Sequence, residues 1–427
     1  MSTFIEELRW RGMLNDAMPG SEEKLKTSMQ SAYIGFDPTA KSLHIGNLAT
    51  IMLLVYWQRD GHKPYALVGG ATGMVGDPTG KAAERKLLDE ETLAQNVAGI
   101  RKQLAHFLDF EGGANSAELV NNLDWFKGWG YLDFLREVGK HFSINYMIAK
   151  DSVKNRLETG MSYTEFSYQL LQAYDFYHLW KNNGINFQMG ASDQWGNITG
   201  GTELIRRMAS GEAYAITGNL LLKADGTKFG KSESGNVWLD PELTSPYKFY
   251  QFLLNCADEE AFKMVRIFCV RPHEEIEELE AKHTAEPHLR ILQKAVAEDL
   301  TLRVHGAEEL KRAQQATDIL FGKDSTEAIK ALDEKLLLQA FEGVPAKTLP
   351  MSDLDQDLVT LLGATTEGIV FPSKGEARKG IQAGSITING EKATSIESKA
   401  ADFGLLQEKY LLIRKGKKNY ILLTFEN

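Results

Sequence analysis

Short apolar runs alternate with longer helical patterns through the first half of the chain. Runs typical of buried parallel strands occupy residues 33–36, 64–70, 118–123, 185–189 and 216–222. Helical patterns occupy residues 1–30, 89–110, 126–160 and 163–181. This alternation predicts an α/β fold: a Rossmann-like, doubly wound parallel sheet with residues 126–160 as a helical insertion.

The second half of the chain has a different pattern. Residues 241–320 are helical in periodicity, 323–350 are polar with Pro345 and Pro350, and 351–427 combine short helices with strands around an Asn389-Gly390 turn. We therefore expect four parts: a catalytic domain (1–222), a glycine-rich loop with an all-helical domain (223–322), a linker (323–350) and a small α+β module (351–427).

The composition is that of a globular protein, with 43% hydrophobic and 25% charged residues. No apolar run reaches the ~18 residues needed to cross a bilayer, and the first residues do not resemble a signal peptide. The two cysteines form no CxxC pair, and the nine histidines form no HxH or HxxxH pair. We expect a cytoplasmic protein with no metal site, no membrane partner and no disulfide framework.

The charge is unevenly distributed along the chain. The net charge is −10, but residues 371–427 hold ten Lys and Arg against six Asp and Glu. The excess of acidic residues argues against DNA as a partner, whereas the basic last segment indicates local contact with a polyanion.

The segment 31–50 combines a predicted strand, a break at Asp37-Pro38 and the start of a predicted helix, for which Ser42 is the expected N-cap. A strand followed by a helix N-terminus forms an anion site, which Thr39 and His44 would flank. The alternative is that His44 is a helix cap or a core residue.

Three other segments carry candidate chemistry. Tyr168, Gln172 and Asp175 share one face of the predicted helix 163–181. This face either lines a binding site or is a polar stripe exposed to solvent. The glycine-rich segment 69–81 departs from the Walker A pattern, and the charged residues in and after it are Asp77, Lys81 and Arg85. Lys228 and Lys231 lie in a second glycine-rich loop, which is either solvated or a mobile clasp for a triphosphate.

Two motifs resemble signatures of class I aminoacyl-tRNA synthetases. SLHIGN is similar to the HIGH motif, with Asn47 in the place of the last His, and KFGKS is similar to KMSKS, about 180 residues later. With YIGFDPTAKSLHIGN, GDPTGK, TEFSYQLLQAYDF and SDQWGN in order, nearly the whole chain resembles bacterial tyrosyl-tRNA synthetases. The last module resembles a small RNA-binding module of a ribosomal small-subunit protein.

The resemblance implies that L-tyrosine, ATP and tRNA(Tyr) are the substrates, that Mg²⁺ accompanies ATP, and that no organic cofactor is tightly bound. It assigns Tyr33 and Asp175 to the substrate phenol, which both donates and accepts a hydrogen bond. The rest of the tyrosine site would comprise Asp77, Tyr168, Gln172 and Gln194.

The ATP site implied by the resemblance comprises Gly35, Asp37, Thr39, His44, Gly46, Asn47, Asp193 and Lys231. The groups expected to stabilise the departing pyrophosphate are Thr39, His44, Lys81, Arg85, Lys228 and Lys231. The family is homodimeric through the inserted region 126–160.

Lys374, Arg378 and Lys379 share the exposed side of a predicted helix and are the expected RNA contacts, although a basic solubilising face would have the same composition. Three rival functions are a tryptophanyl-tRNA synthetase, an RNA-binding regulator of synthetase-like fold without catalysis, and a small-molecule adenylyltransferase. Intact Thr39, His44, Lys228 and Lys231 argue against lost catalysis.

Overall fold

The structure of the chain is a computed structural model, which describes residues 3–79, 89–157, 160–222, 229–232, 235–321, 329–341, 344–416 and 419–426. Two compact units are formed. The first comprises Met1–Thr244 and Gln251–Val304, and the second comprises Ser245–Tyr250 and His305–Asn427. No helix within the described ranges is long and apolar enough to span a membrane.

The strands of the first unit are β1 Leu14–Ala17, β2 Ser31–Phe36, β3 Lys63–Val68, β4 Glu118–Asn121, β5 Phe187–Ala191, β6 Tyr214–Gly218, β7 Lys231–Ser232 and β8 Gly235–Asn236. The strands of the second unit are β9 Ala346–Pro350, β10 Ile386–Ile388, β11 Glu391–Lys392, β12 Tyr410–Lys415 and β13 Asn419–Glu426.

The α-helices up to the end of β6 are Phe4–Trp10, Ser21–Leu25, Leu48–Arg59, Glu90–Leu104, Leu123–Phe126, Tyr131–Glu137, Ile144–Ile148, Asp151–Leu157, Tyr163–Asn183 and Trp195–Ala209. The later α-helices are Pro246–Leu254, Asp258–Phe268, His273–Ala285, Ile291–His305, Ala307–Phe321, Glu334–Ala340, Leu358–Thr360 and Lys374–Gln382.

The first unit is built on a six-stranded sheet in the order β1-β6-β5-β2-β3-β4. β2 pairs in parallel with β3 and with β5, so the strand order reverses between β2 and β5. This confirms the doubly wound α/β fold, and the carboxyl ends of these two strands are where such sheets bind ligands. The edge strand β1, antiparallel to β6, was not predicted, because its four residues LNDA contain no apolar run.

Helix positions agree with the sequence pattern at most sites and differ at two. The predicted helix 1–30 was wrong, because β1 separates the short helices Phe4–Trp10 and Ser21–Leu25. The helix Tyr163–Asn183 follows the prediction closely, and the insertion consists of short helices. The expected N-cap was wrong: the helix after β2 begins at Leu48, preceded by a 3₁₀ turn Ile45–Asn47. The Ser42 hydroxyl instead donates to the Leu43 carbonyl oxygen.

The second unit contains a five-stranded sheet in the order β11-β10-β12-β13-β9. The predicted linker 323–350 was wrong for its described residues, because they include the helix Glu334–Ala340 and the strand β9, which pairs in parallel with β13. Asn389 and Gly390 form the predicted turn between β10 and β11, with φ values of 47° and 86°.

Candidate active site

A cavity of about 570 Å³ opens at the carboxyl ends of β2 and β5 in the first unit. The structure brings together most of the site residues predicted from the sequence. Those that line this cavity are Tyr33, Gly35, Asp37, Thr39, His44, Gly46, Asn47, Asp77, Tyr168, Gln172, Asp175, Asp193 and Gln194.

Two buried polar groups face the cavity from different elements. Tyr33 lies on β2, is 1% exposed, and its hydroxyl has no hydrogen-bond partner among the described residues. Asp175 lies on the helix Tyr163–Asn183 and is 2% exposed. Its Oδ1 accepts from Trp125 Nε1 at 2.9 Å, and its Oδ2 accepts from Asn122 Nδ2 at 3.0 Å.

Burial dominates the electrostatics of this pair. Burial raises the pKa of Asp175 to about 8, although the hydrogen bonds from Asn122 and Trp125 oppose the shift; the nearby charge of Asp37 adds to it. Burial also raises the pKa of Tyr33 well above its usual range, and the carboxylate of Asp175 reinforces this. The hydroxyl of Tyr33 is therefore a neutral donor at any working pH.

The raised pKa of Asp175 predicts a pH-dependent stability. An unfolded Asp ionises near 3.8, whereas the folded carboxyl retains its proton up to about pH 8. The folded state then binds more protons between these two values, so this contribution to stability falls as the pH rises through that window. We expect the melting temperature of the wild type to fall relative to Asp175→Asn from about pH 5 to pH 8, measured by scanning fluorimetry. A wild-type melting temperature that rises relative to that of Asp175→Asn between pH 5 and pH 8 would contradict this.

A second polar cluster lies two turns earlier on the helix Tyr163–Asn183, around Tyr168. The Tyr168 hydroxyl donates to Asp37 Oδ2 at 3.0 Å, and the Thr72 hydroxyl donates to Asp37 Oδ1 at 2.8 Å. Gln194 Nε2 donates to Asp77 Oδ2 at 2.8 Å. These two carboxylates give this end of the cavity an acidic character, which suits a cationic group.

The turn before Lys231 lies directly against residues 44–47, the HIGN segment. Gly230 has a φ of 104°, and a Cβ atom there would lie 2.9 Å from the backbone nitrogen of Gly46, so a side chain does not fit. The carbonyl oxygen of Gly230 accepts from Val237 N at 3.0 Å, and the carbonyl oxygen of Val237 accepts from Ile45 N at 2.8 Å. Hydrogen bonds thus connect this turn to the HIGN segment.

Some predicted residues are not in the cavity wall that the structure describes. Lys81, Arg85 and Lys228 lie outside the described residues, and of Lys231 only the backbone, in β7, is described. The candidate RNA contacts Lys374, Arg378 and Lys379 belong to the second unit, and all three are exposed. Lys374 and Arg378 also line a groove of about 620 Å³.

Sequence reasoning missed three residues that support the cavity. Asn122, Trp125 and Thr72 hold the carboxylates of Asp175 and Asp37. Asn122 Nδ2 also donates to Thr72 Oγ1 at 3.1 Å, so the two carboxylates are joined by a continuous hydrogen-bond chain. The available signal was position: Asn122 lies at the carboxyl end of the predicted strand 118–123, where such sheets place polar side chains.

Family models match most of the chain. Residues 25–322 match the model of class I tRNA synthetases for tryptophan and tyrosine, and residues 337–423 match the SYY-like C-terminal domain of tyrosine–tRNA ligases. The two matches leave residues 323–336 between them, and each match lies on a part of the chain with its own sheet.

Individual proteins give the same result. The chain is 60% identical to a tyrosine–tRNA ligase of Cytophaga hutchinsonii over 427 residues, all of both chains. It is 55% identical to that of Parabacteroides distasonis over 98% of this chain and 99% of the relative. A C-terminally truncated mitochondrial tyrosyl-tRNA synthetase of Aspergillus nidulans superposes with a TM-score of 0.68 at 29% identity, covering 75% of this chain and 95% of that one. The chain belongs to the class I tRNA synthetases for tryptophan and tyrosine.

Proposed function

We propose that this chain is a tyrosine–tRNA ligase. It activates L-tyrosine with ATP, giving tyrosyl-adenylate and pyrophosphate, and then transfers the tyrosyl group to the 3′ end of tRNA(Tyr) for protein synthesis. The observation that carries the choice of amino acid is the buried Tyr33 hydroxyl, without a partner among the described residues, in the same cavity wall as the buried Asp175 carboxylate. A phenol can accept from the first and donate to the second.

The α-ammonium group of tyrosine fits the acidic end of the cavity. Tyr168 donates its hydroxyl proton to Asp37, which leaves the lone pairs of its oxygen for an ammonium donor. Gln172 Oε1 is buried with no partner among the described residues, and Asp77 supplies a carboxylate nearby. Gln194, bonded to Asp77, would then contact the substrate carboxylate.

Adenylation requires no protein base, because the tyrosine carboxylate is already a nucleophile and attacks the α-phosphorus of ATP directly. Catalysis therefore rests on placement of the two substrates and on stabilising the charge that develops on the pyrophosphate. We assign Thr39 and His44 to that role among the described side chains, and Lys81, Arg85, Lys228 and Lys231 from sequence. Asp193, on the rim beside β5, is assigned to the ribose.

Mg²⁺ would accompany ATP and be held by phosphate oxygens. Among the described residues, no group of three or more His, Cys, Asp and Glu is placed to hold a metal ion. We place the protein in the cytoplasm, a reducing compartment, because both cysteines are buried free thiols.

We infer a homodimer from the surface of the insertion. Four large apolar side chains in and directly after this segment are more than half exposed: Tyr131, Leu132, Ile144 and Tyr163. Exposed apolar side chains that cluster in one region mark protein–protein contacts more often than single scattered ones do. A second copy of the chain is the occupant that the family resemblance favours.

The candidate RNA contacts lead to a prediction that separates the two reaction steps. Reversing the charges of Lys374, Arg378 and Lys379 to Glu should raise the KM for tRNA by about tenfold or more and lessen its salt dependence, because each phosphate contact releases a counterion. Pyrophosphate exchange should stay within about twofold of wild type, because tyrosine and ATP bind in the first unit.

A matched control reverses three other exposed lysines of the second unit, Lys392, Lys399 and Lys409, and so makes the same change in net charge. If both triple variants raised the KM for tRNA equally, the effect would come from net charge, and the assignment of the helix Lys374–Gln382 to RNA would be wrong.

ATP–pyrophosphate exchange with tyrosine, tryptophan and phenylalanine in separate reactions tests the proposed function. Exchange driven by tyrosine is the expected result. Exchange driven by tryptophan instead, or exchange with none of the three amino acids, would overturn the proposal.

A further inference from the structure

The loop that carries Thr39 lies along one face of the helix Glu90–Leu104. Asn96, Gly99 and Gln103 are spaced by three and four positions, so they project from the same side of this helix. Asn96 and Gln103 are 4% and 8% exposed, which is unusual for amides unless they are hydrogen-bonded. We call these three residues the ledge.

The two amides of the ledge bond to opposite ends of the loop. Asn96 Nδ2 donates to the carbonyl oxygen of Pro38 at 2.9 Å. Gln103 Oε1 accepts from the backbone nitrogen of Leu43 at 2.8 Å, and its Nε2 donates to Ser42 Oγ at 2.8 Å. The backbone is thus fixed directly before Thr39 and directly before His44.

Gly99 allows the middle of the loop to approach the helix. A Cβ atom on Gly99 would lie 2.1 Å from the carbonyl oxygen of Lys41, a contact that only a shift of the backbone could relieve. Glycine inside a helix is otherwise less favourable than alanine. The close approach of the loop gives a physical reason for glycine at this position.

We propose that Asn96, Gly99 and Gln103 are positioning residues for ATP activation: the ledge fixes the backbone of residues 38–43 and thereby places Thr39 and His44 at the phosphates. None of the three lines the cavity, so they act through the loop. The proposal rests on the proposed function, because it concerns how the same site binds its nucleotide.

The opposite side of the loop has its own support, which limits what the ledge controls. Leu239 N donates to the carbonyl oxygen of Leu43 at 2.9 Å, and Asp240 N donates to Ser42 Oγ at 3.2 Å. These contacts hold the end of the loop near His44, whereas Asn96 and Gly99 hold the part nearer Thr39. The phenol-facing residues Tyr33 and Asp175 lie on β2 and on the helix Tyr163–Asn183, whereas the ledge bonds to residues 38, 42 and 43, so tyrosine affinity should not depend on the ledge.

The test compares Gly99→Ala, Gln103→Leu and Gln103→Glu in the full-length protein, using pyrophosphate exchange and equilibrium binding of tyrosine. We expect Gly99→Ala to slow exchange by about 10²-fold, the effect of displacing catalytic groups by about 1 Å. Gln103→Leu should raise the KM for ATP or slow exchange by at least about tenfold. Tyrosine affinity should stay within about twofold in all three.

Gln103→Glu retains the acceptor for Leu43 N–H and can accept from the Ser42 hydroxyl, so it should recover most of the loss seen in Gln103→Leu. Gly200→Ala is the matched helical control, because its Cβ would lie at an ordinary 3.9 Å from Ala173. If Gly99→Ala does not fold, the two Gln103 variants decide.

Two outcomes would overturn the role of the ledge: exchange within about twofold of wild type in Gln103→Leu, or a loss of tyrosine affinity equal to the loss of rate. Either result can be told apart from failure of the proposed function. In that case the wild-type protein itself would give no tyrosine-dependent exchange.

Discussion

Asp175→Asn should lower kcat/KM for tyrosine in pyrophosphate exchange by about 10²-fold or more. Both oxygens of this carboxylate accept from buried donors, Asn122 Nδ2 and Trp125 Nε1. An asparagine has one oxygen, so its NH₂ group would face one of these donors and leave it unpaired, at a cost of about 1–3 kcal/mol. The carboxyl oxygen that accepts from the substrate phenol would also be lost if the NH₂ group took its place, because an NH₂ group cannot accept a hydrogen bond.

The same substitution should also reduce the selectivity for tyrosine over phenylalanine. Phenylalanine has no hydroxyl to bond to Asp175, so its exchange rate should change less, and the preference for tyrosine over phenylalanine should shrink. Asp124→Asn is the control, because Asp124 is exposed and next to Trp125 in sequence. If Asp175→Asn kept the wild-type preference, Asp175 would not be the group that recognises the phenol.

The parts of the cavity that could be predicted from sequence are those in which several functional side chains lie on one helix or strand. Tyr168, Gln172 and Asp175 share a helix face by spacing alone, and all three line the cavity. Thr72 and Trp125 could not be found in this way, because their roles depend on contacts with residues 35 and 50 positions away in the chain. No local pattern carries that information.

The same limit explains the errors in the fold. The central strands of the first sheet were predicted from apolar runs. β1 and β9 have no apolar run, and they form because a neighbouring strand offers unpaired backbone groups. Ser42 has the composition of an N-cap. In the folded chain its hydroxyl lies between Gln103 and the backbone of Asp240, and the helix begins later.

The ledge and the cavity wall divide the site into two parts that are supported by different elements of the fold. Tyr33 and Asp175 are buried and held by the sheet and a long helix, so tyrosine meets a preformed site. Residues 38–44 are an irregular segment supported by hydrogen bonds from the ledge on one side and from Leu239 and Asp240 on the other. Variants of the second part should therefore affect ATP activation and spare tyrosine binding.

His44→Ala is the sharpest test of that division. His44 precedes the 3₁₀ turn Ile45–Asn47, where its backbone N–H donates to Asn47 Oδ1 at 3.0 Å, so the truncation removes the imidazole and leaves this bond in place. Removing a donor to a developing oxyanion costs about 10²–10³ in rate, and we expect adenylation to slow by that factor. Tyrosine affinity should remain within about twofold, measured by equilibrium binding alongside single-turnover formation of tyrosyl-adenylate.

His288→Ala makes the same truncation at an exposed position of the same unit, away from the cavity, and should leave both measurements unchanged. His44→Gln, which restores a donor on a longer side chain, should recover part of the lost rate. If His44→Ala weakened tyrosine binding as much as it slowed adenylation, the imidazole would act by packing. Its packing partner would be Trp238, whose ring it meets edge to face with the ring centroids 6.0 Å apart. A rate loss confined to adenylation would instead place His44 at the phosphates, because they are the part of the reactants that gains charge in the transition state.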